Sequence, residues 1–325
     1  MIERETIVVG GGPGGASAAW QLKQDGREAL VLDREPFPRE KLCAGWITPE
    51  VLDDLEFSPA QYPHRFLTFD ALQVNLWGMH FALRSPQHSI RRIEFDHWLL
   101  ERSDAEFSVH EVKNIKQTVD GYVIDDRYRC RHLIGAGGTR CPVFRRLFRD
   151  TAPHDKALQA VALELEYPFN WHDPDCHLWF LNHGLPGYSW YVPKARGYLN
   201  IGVGGMAARL HDNGDDIKRH WQLLVERLLQ RGLIDKDPGQ PKGYSYFLAA
   251  KTAVNRRDNA YIVGDALGLA TRDMCEGIGP AVRSGLLAAR AISGNQVKNI
   301  QEIPRYTSNV TFVRRGLERC LLKNH

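Results

Sequence analysis

The chain of 325 residues is 43% hydrophobic and 25% charged, with 42 Lys plus Arg against 39 Asp plus Glu. That length suits two domains or one elaborated domain, and the supply of core-forming side chains excludes intrinsic disorder, collagen-like repeats and low-complexity architectures. A net charge of +3 gives no push toward nucleic acid, so no such partner is expected. Basic side chains gather in the last stretch, where Arg305, Arg314, Arg315, Arg319 and Lys323 stand against Glu318. No apolar run approaches the roughly 18 residues of a membrane span. MIERET passes directly into an apolar strand, leaving no room for a signal peptide. Six scattered cysteines (Cys43, Cys130, Cys141, Cys176, Cys275, Cys320) include no C-x-x-C pair and suit reduced thiols better than a disulfide framework. A soluble cytoplasmic protein is expected.

In chain order, TIVV predicts a strand, GGGPGG a turn, ASAAWQLKQDG a helix ending at Gly26, and ALVL a second strand ending on Asp33. Continuous apolar strands joined by a helix indicate a parallel sheet buried on both faces. PEVLDDL turns helical, residues 64–95 alternate as antiparallel strands do, and IEFDHWLLERS resumes a helix with Asp96 in its early turns. Short strands are expected near 107–112, 122–125 and 131–135. From 157 to 204 strand follows strand, then a helix covers 215–232. AYIVGDALG is a strand and turn, and GIGPAVRSGLLAARAI a long helix. The pattern predicts an α/β chain with a discontinuous Rossmann-like dinucleotide-binding domain over 1–58, 88–150 and 252–297. An inserted antiparallel-sheet (α+β) substrate domain spans 59–87 and 151–251, and a helical tail spans 298–325.

Gly10-x-Gly12-x-x-Gly15 lies between the first strand and its helix, and Asp33 ends the next strand. Gly10 permits the tight turn, Gly12 lets the backbone approach a pyrophosphate, and Gly15 lets the helix pack close to the sheet. The helix N-terminus offers free N–H groups to phosphates, and Asp33 can accept from an adenosine ribose. The motif alone does not choose between FAD and NAD. Gly202-Val-Gly204-Gly-Met-Ala207 has a similar look. It ends a hairpin-paired strand, and His211-Asp-Asn-Gly214 interrupts any following helix, so it reads as structural. Gly135-Ala-Gly137-Gly138-Thr139 suggests backbone packed against a cofactor.

Further along, Asp265 in the Gly264-Asp265 turn can take a ribityl hydroxyl or organise N–H groups near a pyrophosphate; its plain alternative is a helix cap. Gly277-Ile278-Gly279-Pro280 opens a helix with no bulky side chain at its mouth, where N–H groups could stabilise negative charge on a reduced ring. His172-Asp-Pro-Asp-Cys-His177 reads as a loop, and no metal is expected. No G-x-S-x-G elbow or P-loop supports a hydrolase or NTPase. In the tail, Val310, Val313, Leu317 and Leu321 fall at helical spacing beside the basic residues. That helix either rests on an anionic membrane or partner, or packs on its own protein.

Four segments together resemble the geranylgeranyl reductase family, within the flavoprotein superfamily that also holds aromatic hydroxylases and halogenases. FPREKLCAGW (37–46) is similar to F-P-R-x-K-x-C-G-G, and IRRIEFDHWL (90–99) to R-x-x-F-D-x-x-L. LPGYSWYVPKARGYLNIGVG (185–204) is similar to P-G-x-Y-x-W-x-F-P followed by N-V-G-x-G. VGDALGLATRDMCEGIGPAVRSG (263–285) is similar to G-D-A-A-G…G-E-G-I…A…S-G. The resemblance implies FAD in a glutathione-reductase-like domain. The cofactor contacts it implies are Gly10, Gly12, Pro13, Gly14, Gly15, Asp33, Arg34, Arg39, Cys43, Ala44, Arg92, Gly137, Gly264, Asp265, Gly277, Ile278 and Gly279. It also puts Cys43 in the active-site cavity, with Tyr188 and Trp190 near substrate. Strand alternation places those two aromatics on one face and Tyr191 on the other.

Three departures stand out. Gly137 replaces the Asp that hydroxylases carry in G-A-D-G. Cys275 stands where the family's flavin motif has Gly, close enough to crowd the ring or make a thiol contact. The chain is also shorter than typical prenyl reductases. The expectation is an FAD-dependent oxidoreductase that reduces carbon–carbon double bonds of a small hydrophobic, isoprenoid substrate. NAD(P)H or a reduced carrier protein would supply electrons, and the basic tail would allow contact with the inner face of a membrane. A flavin monooxygenase is the alternative, and a non-catalytic flavin-binding protein the reading from a different class.

Overall fold

A computed structural model describes residues 1–76, 78–251, 254–294, 303–307 and 311–322. The strand Ile2–Val9 is central to the first sheet, parallel to Ala29–Asp33 on one side and Tyr128–Gly135 on the other. Val8 stands level with Val31 and with Ile134. Glu106–Val109 extends the parallel order past Ala29–Asp33, and Ala260–Ile262 extends it past Tyr128–Gly135. Ala29–Asp33 is buried at every position, as a strand covered on both faces must be.

The helices Pro13–Gln24 and Ile278–Ile292 cover one face and touch through their backbones, since a Cβ on Gly285 would lie 2.2 Å from the Gly14 carbonyl oxygen. On the sheet's outer edge, the hairpin Ile115–Thr118 and Gly121–Ile124 pairs antiparallel with Tyr128–Gly135. Its first strand was not among the expected ones. Three of its four residues are exposed, so no apolar alternation marks it. The strand expected near 107–112 ends at Val109.

Among the described residues the second sheet has eight strands. Their order is Lys242–Phe247, Gln159–Pro168, Tyr198–Met206, Gly187–Lys194, Cys176–Phe180, Leu67–Leu76, Met79–Ser89 and Trp46–Ile47. Neighbours are antiparallel except Cys176–Phe180, which runs parallel to Leu67–Leu76. One face is covered by the helix Ile217–Gln230, with Tyr191, Ile201, Val203, Trp221 and Leu224 packed between them. Asp216 caps that helix by accepting from the Lys218 N–H at 3.0 Å. Tyr188, Trp190 and Val192 lie on the opposite face. Trp46–Ile47 pairs with Ser89 and His88, so the loop that carries Cys43 leads from the first sheet onto an edge of the second.

A short helix, Ala207–Asp212, forms after Tyr198–Met206 and ends at Asn213, within the His211–Gly214 stretch expected to interrupt it. In the tail, Thr311–Leu322 is helical, with Leu317 and Leu321 buried and Arg315 and Arg319 exposed. Glu318 accepts from Arg272 and from the Tyr306 hydroxyl, both at 2.6 Å, while Arg209 donates to the Leu321 carbonyl at 2.9 Å. Leu317 and Leu321 therefore pack on the protein itself, while Arg315 and Arg319 face outward. Val310 and the Val313 side chain lie outside the described residues. Among the described residues no helix is long and apolar enough to cross a membrane.

Candidate active site

A cavity of about 610 Å³ runs from the glycine turn of the first sheet to the aromatic face of the second. At its first end, Gly10 has φ +112°, and a Cβ there would fall 2.4 Å from the Ala136 carbonyl oxygen. No L side chain fits that conformation and approach. Gly12 caps the helix Pro13–Gln24 without any side-chain hydrogen bond, so the helix opens onto the cavity with its first N–H groups free of a side-chain cap. Asp33 accepts the Gly11 N–H at 2.8 Å, and Arg39 stands 3.6 Å from its carboxylate. Arg92 grips Asp96 through two bonds of 2.6 and 2.7 Å. Asp96 also lies 3.9 Å from Arg39, so one buried carboxylate orients two cations on the cavity wall.

Gly264 takes φ +58°, and its N–H donates to the Ser284 hydroxyl at 2.9 Å. Asp265 accepts from the Tyr244 hydroxyl at 3.1 Å. The ammonium of Lys41 sits 3.1 Å from the centre of the Tyr244 ring. Burial lowers the Lys41 pKa to about 8, against the pull of Asp265. The mouth of the helix Ile278–Ile292 is less open than its glycines suggest. Glu276 reaches over it and accepts the Gly279 N–H at 2.7 Å, and burial pushes that carboxyl up to about 7.

At the other end, Tyr188 and Trp190 share one face with ring centres 5.8 Å apart. Tyr188 donates to the Met274 carbonyl at 2.6 Å, and the Trp190 indole donates to Asn200 at 2.7 Å. The indole lies across the neighbouring strand, because a Cβ on Gly202 would meet it at 2.2 Å. The glycines of Gly202-Val-Gly204 are thus a seat for an aromatic ring, not a nucleotide fingerprint.

Cys43 and Cys275 both line this cavity. Burial raises the Cys43 thiol's pKa, against the charge of Arg92, and pushes the Cys275 thiol up to about 12. Both keep their protons at neutral pH and so hold protons rather than nucleophilic thiolates. Cys275 has φ +56°, the left-handed conformation in which glycine is at ease.

The cavity wall gathers Gly10, Gly12, Pro13, Gly14, Asp33, Arg34, Arg39, Cys43, Ala44, Arg92, Gly137, Tyr188, Trp190, Gly264, Asp265, Cys275, Gly277 and Ile278. Gly15 and Gly279 are off that wall. A Cβ on Gly15 would meet the Gly10 carbonyl at 1.9 Å, and one on Gly279 would meet the Glu276 carboxylate at 3.2 Å. Both serve packing behind the site. Glu164, Tyr244, Tyr246 and Lys41 also line the cavity and were not foreseen. For Tyr244 and Tyr246 a signal existed: alternation in GYSYF sets both on one face. In the His172–His177 stretch, the expected loop gives way at Cys176 to the strand Cys176–Phe180, and His177 pairs with Asp173 at 2.9 Å.

A family model described as an NAD(P)-binding Rossmann-like domain matches residues 8–72. The menaquinone reductase of Mycolicibacterium smegmatis is 27% identical over 90% of this chain and 77% of its own length. Digeranylgeranylglycerophospholipid reductase 3 of Methanosphaera stadtmanae is 22% identical over 91% of this chain and 79% of its own. The resemblance read in the motifs holds: the chain is an oxidoreductase related to these reductases. In fold it matches a geranylgeranyl bacteriochlorophyll reductase-like protein from Thermoplasma acidophilum, with a TM-score of 0.79 at 19% identity. That match covers 100% of this chain and 86% of the other.

Proposed function

We propose that this oxidoreductase binds FAD and reduces a carbon–carbon double bond of a hydrophobic, isoprenoid-bearing substrate. One observation carries the reading: a single cavity joins a dinucleotide-binding turn to an apolar aromatic wall. The first end suits FAD, because the Asp33 carboxylate, the open helix terminus at Gly12 and the Asp265 turn all line the cavity and offer partners for the adenosine ribose, the pyrophosphate and the ribityl chain respectively. When bound and reduced, FAD supplies the hydride.

The chain's own residues do the rest. Tyr188, Trp190 and Met274 form a wall that holds an alkene and keeps water out. Saturating a double bond also needs a proton at the second carbon, and the protonated thiols of Cys43 and Cys275 are held beside that wall. Electrons come from NAD(P)H or a reduced carrier protein. The relatives' names support an isoprenoid substrate, since a menaquinone reductase and a digeranylgeranylglycerophospholipid reductase align with nine-tenths of this chain at 27% and 22% identity.

The test is to purify the protein, release and identify its cofactor, and supply a reductant with menaquinone or a geranylgeranyl lipid. FAD is expected, with a product richer by two hydrogens on the isoprenoid chain, not on the quinone ring. An oxygenated product would favour the monooxygenase, and a protein without flavin would end the reading.

A further inference from the structure

Three consecutive strands of the second sheet each send one polar side chain to the same tripeptide, Cys43-Ala44-Gly45, on the connection between the sheets. Glu164 accepts the Cys43 N–H. Asn200 donates to the Cys43 carbonyl at 3.2 Å. Lys194 donates to the Ala44 carbonyl, and to the Gly45 carbonyl at 2.7 Å. The register explains the convergence. Glu164, Gly202 and Trp190 stand side by side across the three strands, Asn200 is level with Val192, and Lys194 is level with Tyr198. Residues level with one another, and those two apart, share a face. All three polar groups therefore point the same way as Trp190.

Their burial makes this arrangement expensive unless it is fully bonded. Lys194 is 0% exposed, Asn200 1% and Glu164 4%. An uncompensated ammonium in such surroundings costs several kcal/mol. Burial lowers the Lys194 pKa to about 8 and raises that of Glu164 to about 7. An apolar chain of similar length would fill the space without that cost. What the ammonium adds is direction: two successive carbonyls turn toward the sheet, which fixes where the preceding Cys43 thiol points. Gly45 leaves the room, at φ +68°, since a Cβ there would come within 2.7 Å of the Lys194 ammonium. Asn200 couples the two halves. Its carbonyl holds the Trp190 indole while its amide holds the Cys43 carbonyl.

We propose that Lys194, Asn200 and Glu164 are positioning residues that lock the Cys43-Ala44-Gly45 main chain and the Trp190 indole into one rigid unit. They set the distance between a thiol and an aromatic ring that both line the cavity. The inference deepens the reading of that cavity as a substrate site, but the clamp itself can be tested without substrate.

The experiment measures alkylation of Cys43 by iodoacetamide across pH in the purified holoenzyme, site by site by mass spectrometry, together with the Trp190 contribution to fluorescence. Cys130 and Cys141, in the first sheet's core, report global unfolding. Asn200→Asp keeps an acceptor for the indole but removes the donor to Cys43, whereas Asn200→Leu removes both. Lys194→Met removes the ammonium. The clamp predicts Cys43 labelling faster by about tenfold in each variant, the effect of losing a hydrogen bond of this class on a local opening. Cys130 and Cys141 stay as slow as in the wild type. Trp190 emission shifts in Asn200→Leu, where the indole loses its acceptor. If Lys194→Met does not fold, the near-isosteric Asn200→Asp decides alone. Wild-type Cys43 rates in all folded variants would overturn the clamp, even if substrate turnover were normal. Faster labelling with no turnover of any isoprenoid would leave the clamp standing and sink the substrate reading instead.

Discussion

The two ends of the cavity are built by different means. The dinucleotide end rests on backbone, to which the side chains of Asp33, Arg39 and Arg92 are added. Gly10, Gly12, Gly264 and Gly277 bring main chain to the wall, and the decisive contacts fall within a strand–turn–helix unit or between two such units. The other end is made of side-chain bonds between distant segments. Glu164, Lys194 and Asn200 lie more than a hundred residues from the loop they hold. A backbone site depends on conformations only certain residues adopt, so it fails all at once when a Cβ is added. A side-chain site depends on partners, so it loosens one bond at a time.

That contrast can be broken from either end. The largest effect is expected from Gly15→Val, because even a Cβ would lie 1.9 Å from the Gly10 carbonyl. Helix and strand must separate, and the protein should purify with no bound flavin, seen as loss of visible absorbance. Retained flavin would contradict the backbone account. Gly202→Val comes next. Its Cβ takes the space of the Trp190 ring, so turnover should fall at least tenfold, roughly the penalty of overpacking a core. Flavin content should stay near wild type. Loss of flavin as well would mean that the two ends are not separable.

A pH series sharpens the comparison, because each end holds a carboxyl pushed up to about 7 by burial: Glu276 beside the helix mouth and Glu164 in the clamp. Such groups bind protons more tightly folded than unfolded, so their contribution is fully present below about 4.5, the ordinary glutamate value, and is lost as pH rises through about 7. Stability from these two groups should therefore fall across that window. Each is worth about 3 kcal/mol at most. Thermal unfolding of Glu276→Gln should show a shallower decline than the wild type, and an unchanged slope would remove Glu276 from the account. The smallest effect is expected of Cys275→Gly. Relief of the φ +56° conformation offsets the added freedom of the unfolded chain, leaving stability within about 1 kcal/mol. A larger loss on denaturant unfolding would show that the thiol's contacts outweigh the strain.

The same contrast governs what could be read in the sequence. The glycine turn, its helix and Asp33 were legible because strand, turn and helix each leave a local mark. Alternation correctly separated Tyr188 and Trp190 from Tyr191. The clamp was not legible. In AVALELEY the apolar face is Val161, Leu163 and Leu165, so Glu164 reads as a solvent-facing residue, when both faces of that strand are in fact covered. Lys194 sits where KARG reads as a turn, and Asn200 beside glycines that resembled a nucleotide motif. Glu276 was seen only as a motif letter. Its reach over the helix mouth follows a left-handed Cys275, at the position where the family motif carries Gly.

The most direct test is a single turnover by the reduced holoenzyme mixed with an isoprenoid quinone, once without oxygen and once with it. The account predicts loss of reduced flavin in step with formation of a product that carries two more hydrogens on its isoprenoid tail, as counted after the quinone ring is reoxidised, at the same rate in both conditions. A product that forms only with oxygen, and contains it, would contradict the reductase and make the cavity that of a monooxygenase.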